Sequence, residues 1–253
     1  MRAFHWWGLC GLGLVLVAGA WIAVVRAGDG APPPQALGRP RPAGAIPMAV
    51  MGDSDSHSYH DRLAFPPGSP ARGGAFQAST FNWGEILAQL RPNDIDPGPW
   101  LTWGSRGYLS SVRRMLGLPI GRIPMKEDYL YNFAVSGAVC DDLMTGPFRQ
   151  APWLASLMDK EPGRWTQGVV VIRIGINDWQ RILGLQSRNP RAPGVDKIIE
   201  QCAGRISEAM ALLRQHEAGL RFLVVGLPND IDVPEQFESF RSAGGSRNLG
   251  QAL

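Results

Sequence analysis

Four short apolar runs punctuate the chain: IPMAVMG at 46–52, YLYNFAV at 129–135, GVVVIRIG at 168–175 and LRFLVVGL at 220–227. None alternates cleanly between apolar and polar positions, which is the pattern of strands covered on both faces. Helical stretches are predicted between them, at 81–90, 105–116 and 195–216. The last carries Val195, Ile198, Ile199, Cys202, Ile206, Met210 and Leu213 at the spacing of one buried helix face. Strands alternating with helices predict an α/β fold, a parallel sheet layered with helices on both sides. Ligands of such sheets bind beyond the carboxyl ends of the strands, so the polar residues that follow each run are the places to look for chemistry. The first connection is long, and residues 62–128 read as an elaborated insertion rich in Gly, Pro and Trp.

The apolar pattern at the N-terminus is of another kind. Phe4 to Val25 contains no formally charged residue, with His5 taken as neutral. That is long enough to span a bilayer. Residues 1–27 therefore read as a transmembrane signal anchor, or as a signal peptide with Val25-Arg26-Ala27 as a passable cleavage site. Arg2 precedes the span and Arg26, Arg39 and Arg41 follow it, so charge does not fix its orientation. Residues 28–45 are proline-rich and are expected to form an extended tether. The globular domain is assigned to 46–253. A span and a tether together point to the cell envelope, with the domain membrane-anchored or secreted on the periplasmic or extracellular side.

Composition narrows the field further. The formal charge is +3, of which Arg2 and Arg26 contribute two, so the domain is nearly neutral and no nucleic-acid partner is expected. The three cysteines are Cys10, Cys140 and Cys202. Cys202 falls on an apolar helix stripe and reads as a core residue. A Cys140–Cys202 disulfide is open outside the cytoplasm, but sequence alone does not establish it.

The first run ends in Gly52-Asp53-Ser54, the second leads through NFAVSG to Gly137, and the third ends in Gly175-Ile176-Asn177-Asp178. GDS, NxAxxG and GxND, in this order and each at a strand end, resemble the first three blocks of the SGNH, or GDSL, hydrolase family. The resemblance covers 46 to about 230. It implies a flavodoxin-like three-layer α/β/α sandwich and a serine esterase acting on an acyl ester. Acetyl esters, on a carbohydrate, are the expected substrates. It implies Ser54 as nucleophile, and the N–H of Ser54, the N–H of Gly137 and the side-chain amide of Asn177 as the oxyanion hole. Such preorganised donors are what a developing oxyanion needs. Asp53 is expected to shape the turn. Trp179 and His57 are the expected substrate-binding residues. No cofactor and no metal is expected; the expected partners are an acylated small molecule or polysaccharide, and the membrane through the N-terminal segment.

The family takes its base and orienting acid from a late Asp-x-x-His block, and no such block follows the fourth run. The four histidines are His5, His57, His60 and His216. Three expectations stay open: a piece of a longer protein whose last strand and base lie further on, a non-catalytic carbohydrate-binding relative, or an internal histidine in place of the usual base. Two rival chemistries are weaker. Asp53-Ser54-Asp55 after a strand has the form of a metal-dependent phosphatase site, which Gly52 fits poorly. His57, His60 and Asp61 have the residue types of a zinc site.

Overall fold

A computed structural model describes residues 32–227 apart from 39, 41, 70–73, 117–120, 187 and 190. The predicted span at 1–27 and everything after 227 lie outside the described residues. No helix among the described residues is long and apolar enough to cross a membrane.

The first apolar run forms β1 (Ile46–Gly52), buried along nearly its whole length. The third forms β5 (Val169–Arg173) and the fourth β6 (Arg221–Val224), both parallel and in continuous register, β1 with β5 and β5 with β6. A two-residue β2 (Ile95–Asp96) completes a four-stranded parallel sheet in the order β2-β1-β5-β6. Counting only these four strands, the order is second, first, third, fourth, that of a flavodoxin-like sheet.

The second run behaves differently from its prediction. Lys126–Tyr129 forms β4, antiparallel to β3 (Trp100–Trp103) in a separate small sheet. Residues 130–135 then run beside β1 with one parallel bridge, Val50 to Asn132. The hydrogen bonds Val50 N to Tyr131 O (3.0 Å), Phe133 N to Val50 O (2.7 Å) and Val135 N to Gly52 O (3.1 Å) hold them there.

Adjacent β1 side chains point to opposite faces and build two cores. Met48 and Val50 pack with Val171 and Ala134 under Trp83 and Leu87 of α1 (Trp83–Leu90). Ala49 and Met51 join Val170 and Ile172 in the larger core, beneath α3 (Gln150–Lys160) and α5 (Pro193–His216). The remaining helices are α2 (Gly107–Met115) and α4 (Ile176–Gln186). α1 starts at Trp83 because Asn82 and Glu85 form a reciprocal capping box. α1 and β2 thus build the main sandwich from within the region read as an insertion.

The proline-rich segment is less detached than a tether. Ala36 is buried in the larger core, Leu37 packs against it, and Gly38 N donates to Glu161 Oε1 at 3.2 Å. Two apolar residues among the prolines suffice to dock it.

Candidate active site

The chain leaves β1 through a tight turn. A Cβ on Gly52 would overlap the Arg173 carbonyl oxygen of the neighbouring strand, so the position admits glycine only. The buried Gln150 amide clamps both backbone groups of Gly52, accepting from its N–H at 2.7 Å and donating to its carbonyl at 2.8 Å. Ser56 N and His57 N then donate to Asp53 O, at 3.2 and 3.1 Å. This turn carries Ser54, half-exposed, at its bend.

Asp53 is buried and accepts from Asp55 N at 3.0 Å. Burial raises its carboxyl to about pH 6, against the N–H bonds from Asp55 and Gly175, which lower it. Asp55 faces outward and pairs with Arg173 at 3.1 Å. Between pH 3.8 and 6 the folded state binds more protons at Asp53 than the unfolded state, so stability falls as pH rises through that window. Asp53→Asn keeps the acceptor and removes the charge. Urea melts should show it stabilised by about 1–3 kcal/mol at pH 8, with the difference shrinking toward pH 4. A difference independent of pH would contradict this.

The 130–135 segment delivers Ser136 and Gly137 to the same end of the sheet. Ser136 N donates to His57 Nδ1 at 3.0 Å, which ties this loop to the turn holding Ser54. Gly137 has φ +82° in open surroundings, so glycine serves here through backbone conformation and not clearance. Asn177, in the first turn of α4, donates its amide to Ala138 O at 2.8 Å. The N–H groups of Ser54 and Gly137 have no hydrogen-bond partner among the described residues, and one Asn177 amide hydrogen is likewise uncommitted there.

His57 is buried, with both ring nitrogens engaged. Nδ1 accepts from Ser136, so Nε2 carries the proton and donates to Asp61 Oδ2 at 2.8 Å. Burial lowers the affinity of His57 for a second proton, outweighing the Asp61 hydrogen bond that raises it. Burial pushes the Asp61 carboxyl up, but the bonds from His57, Glu127 N and Ala64 N prevail and its pKa is lowered. His57 therefore ties the Gly137 loop to the turn that carries Ser54, with both ring nitrogens committed to the protein. His60 Nδ1 pairs with Glu85 at 3.1 Å. His216 pairs with Asp159 at 2.7 Å and joins the carboxyl end of α5 to α3. Ser54 Oγ has no hydrogen-bond partner among the described residues.

A buried polar cluster underlies both loops. Lys126 Nζ donates to Asp128 Oδ2 at 2.9 Å and to Ala134 O at 2.7 Å, with both charged side chains fully buried. Asn132, first residue of NxAxxG, donates to Ser56 O at 2.8 Å and to Asp128 Oδ2 at 3.0 Å, and accepts from Ala134 N at 3.0 Å. Arg122 donates to the carbonyls of Asn132, Trp103 and Lys126.

Cys140 and Cys202 form a disulfide joining the loop after Gly137 to α5. Asp178 Oδ2 accepts from Cys140 N at 2.8 Å, and burial raises its carboxyl. Among the described residues, Cys140, Asp178 and Cys202 are the group whose ligand atoms converge, within 4.8 Å, but the thiols are consumed by the bond between them. Reduction, or Cys202→Ser, should lower stability by about 2–4 kcal/mol for a bridge closing a 62-residue separation. Denaturant melts with and without reductant measure this, and coincident curves would refute it.

Trp179 is half-buried two residues beyond Asn177, where its N–H donates to Gly175 O at 2.9 Å. A cavity of about 640 Å³ opens elsewhere, between the small sheet and the α1 region, and Ser54, His57 and Trp179 are not among its walls.

No protein-family model, curated protein or solved structure matches the chain. The geometry of the three loops therefore has to carry the functional reading. Sequence reasoning missed Asn132 and Gln150 as the residues that hold those loops. Asn132 stands in the quoted NxAxxG block, whereas nothing local marks Gln150.

Proposed function

We propose that the protein is a serine esterase of the SGNH type that hydrolyses an acyl ester, with acetyl as the acyl group. One observation carries this reading: Ser136 N bonds His57, three residues beyond Ser54, while the Asn177 amide bonds Ala138 O beside Gly137. These bonds link the loops that carry Ser54, Gly137 and Asn177 at one end of the sheet, which supports the reading. Ser54 Oγ adds to the acyl carbonyl as its proton passes to a base, the alcohol leaves with a proton as the tetrahedral intermediate collapses, and water then releases the acid and restores Ser54; the N–H groups of Ser54 and Gly137 with the Asn177 amide receive the oxyanion. All three donors are neutral groups, the kind that stabilises a developing oxyanion. No cofactor enters the step. The Cys140–Cys202 bridge supports a location outside the reducing cytoplasm, in the cell envelope.

A second reading is supported by the histidines. His57 has both nitrogens engaged, and no described histidine bonds Ser54. A module of this fold that binds an acylated carbohydrate without turning it over fits that observation. Hydrolysis of p-nitrophenyl acetate by the full chain separates the two. Turnover that resists a chelator and disappears in Ser54→Ala supports the esterase; no turnover by folded protein favours the binding module.

A further inference from the structure

The cavity of about 640 Å³ lies within the size range of small-molecule sites, roughly 300–1,000 Å³. Its construction follows from the alternation of β4. Lys126 and Asp128 point inward to the buried cluster, so Glu127 and Tyr129 point outward into the cavity. Trp100, opposite Tyr129 in register, meets it edge to face at 5.2 Å, and it lies close enough to Glu127 to help hold that carboxyl below its ordinary range. Across the cavity, Phe81 leans on the His60 ring at 4.7 Å. Trp100 and Phe81 remain 38% and 41% exposed, although their neighbours fix both rings. Flat apolar faces held in place and left uncovered favour a ring-shaped ligand, since little side-chain freedom remains to be lost.

The charges around these rings cancel locally. Arg62 grips Glu127 with two bonds, Nε to Oε2 at 2.9 Å and Nη2 to Oε1 at 2.7 Å. Glu85 spends Oε1 on Ser58 and His60, and Oε2 on Asn82 N at 2.8 Å. Among the described residues, no carboxylate of the lining is left to select a cation, and no guanidinium to select an anion. The polar groups that remain are the Gln89 amide, and His60 Nε2, which has no partner among the described residues. Aromatic faces with hydrogen-bonding groups at the edge suit a ligand that is apolar on its faces and hydroxylated around its rim.

We propose that this cavity is a carbohydrate subsite that takes one neutral sugar ring, its C–H face on Trp100 and Phe81 and its hydroxyls on Gln89 and His60. As a binding site it stands without the esterase reading; as the seat of the ester's sugar portion it rests on that reading. The test titrates full-length protein with cellotetraose, xylotetraose and chitotetraose, followed by calorimetry and tryptophan fluorescence, with phenol as an aryl control. At least one saccharide is expected to bind in the millimolar range or tighter, more strongly than phenol. Trp100→Ala and Phe81→Ala, each checked by its melting temperature, should weaken it roughly ten-fold. Ser54→Ala should leave binding unchanged even though it removes turnover, so failure of the esterase and failure of the subsite are told apart. No saccharide binding to folded protein, binding untouched by both aromatic variants, or preference for phenol would each overturn the proposal.

Discussion

Asp128→Ala is expected to cost the fold about 3–5 kcal/mol, the range for removing one partner of a buried ion pair. Against a typical domain stability of about 5–15 kcal/mol this leaves a large unfolded fraction under mild denaturant. The cost arises from what is left behind. Lys126 keeps only the Ala134 carbonyl, and Asn132 and Ser58 N lose their shared acceptor. Burial already pushes the Lys126 amine down to about pH 8, against the attraction of Asp128, which raises it. Between that pH and 10.5 the unfolded state binds more protons at this group, so its contribution to stability improves as pH rises. Without Asp128 the stranded amine loses its proton at lower pH than in the wild type, so the deficit of Asp128→Ala should shrink as pH rises toward about 8 and level off above it. Urea midpoints on both sides of that pH measure it. The double variant Lys126→Met, Asp128→Leu should recover most of the loss, because an apolar pair strands no charge. A loss below about 1 kcal/mol in the single variant would show that the cluster is not tightly closed to water.

The second large effect falls on turnover. If Ser54 is the nucleophile, Ser54→Ala should reduce p-nitrophenyl acetate hydrolysis to the uncatalysed background. Asn177→Ala should lower kcat by roughly 10²–10³ with little change in KM, as for loss of one oxyanion donor. Its bond to Ala138 O also goes, so a stability measurement must accompany the kinetics. If Asn177→Ala is fully active and equally stable, the amide does not face the oxyanion and the proposed hole is wrong. Asn177→Asp separates donor from size: a carboxylate fills the same space but repels the developing charge, and should do no better than alanine.

Much of the sandwich was legible because β1, β5 and β6 are short, apolar and bounded by glycine or polar residues. α5 was legible from its apolar spacing, and α1 falls within the helical stretch predicted at 81–90. α3 escaped notice because Pro152 interrupts its pattern, although proline is tolerated in a first helical turn. β4 was hidden by its composition. Lys-Glu-Asp-Tyr reads as solvated, yet Lys126 and Asp128 are inside because they satisfy each other and the Asn132 loop. The hydrogen bonds of His57 were hidden for a similar reason. Its residue type suggests a binding role, and only a partner 79 residues away, Ser136 N, shows that its second nitrogen is taken. The disulfide likewise depends on two elements brought together by the sheet order, which spacing alone does not reveal.

The long sequence separations in this site also bear on how the molecule acquires it. The Gly52–Gln150 clamp spans 98 residues, the Ser136–His57 bond 79 and the Ser58–Asp128 bond 70. Contacts this remote close late, because chain entropy must be lost before they form. A refolding chain would show helical signal from α5 well before Ser54, Gly137 and Asn177 are in place. Under the esterase proposal, recovery of activity should then lag recovery of ellipticity, and turnover would report the last stage of folding.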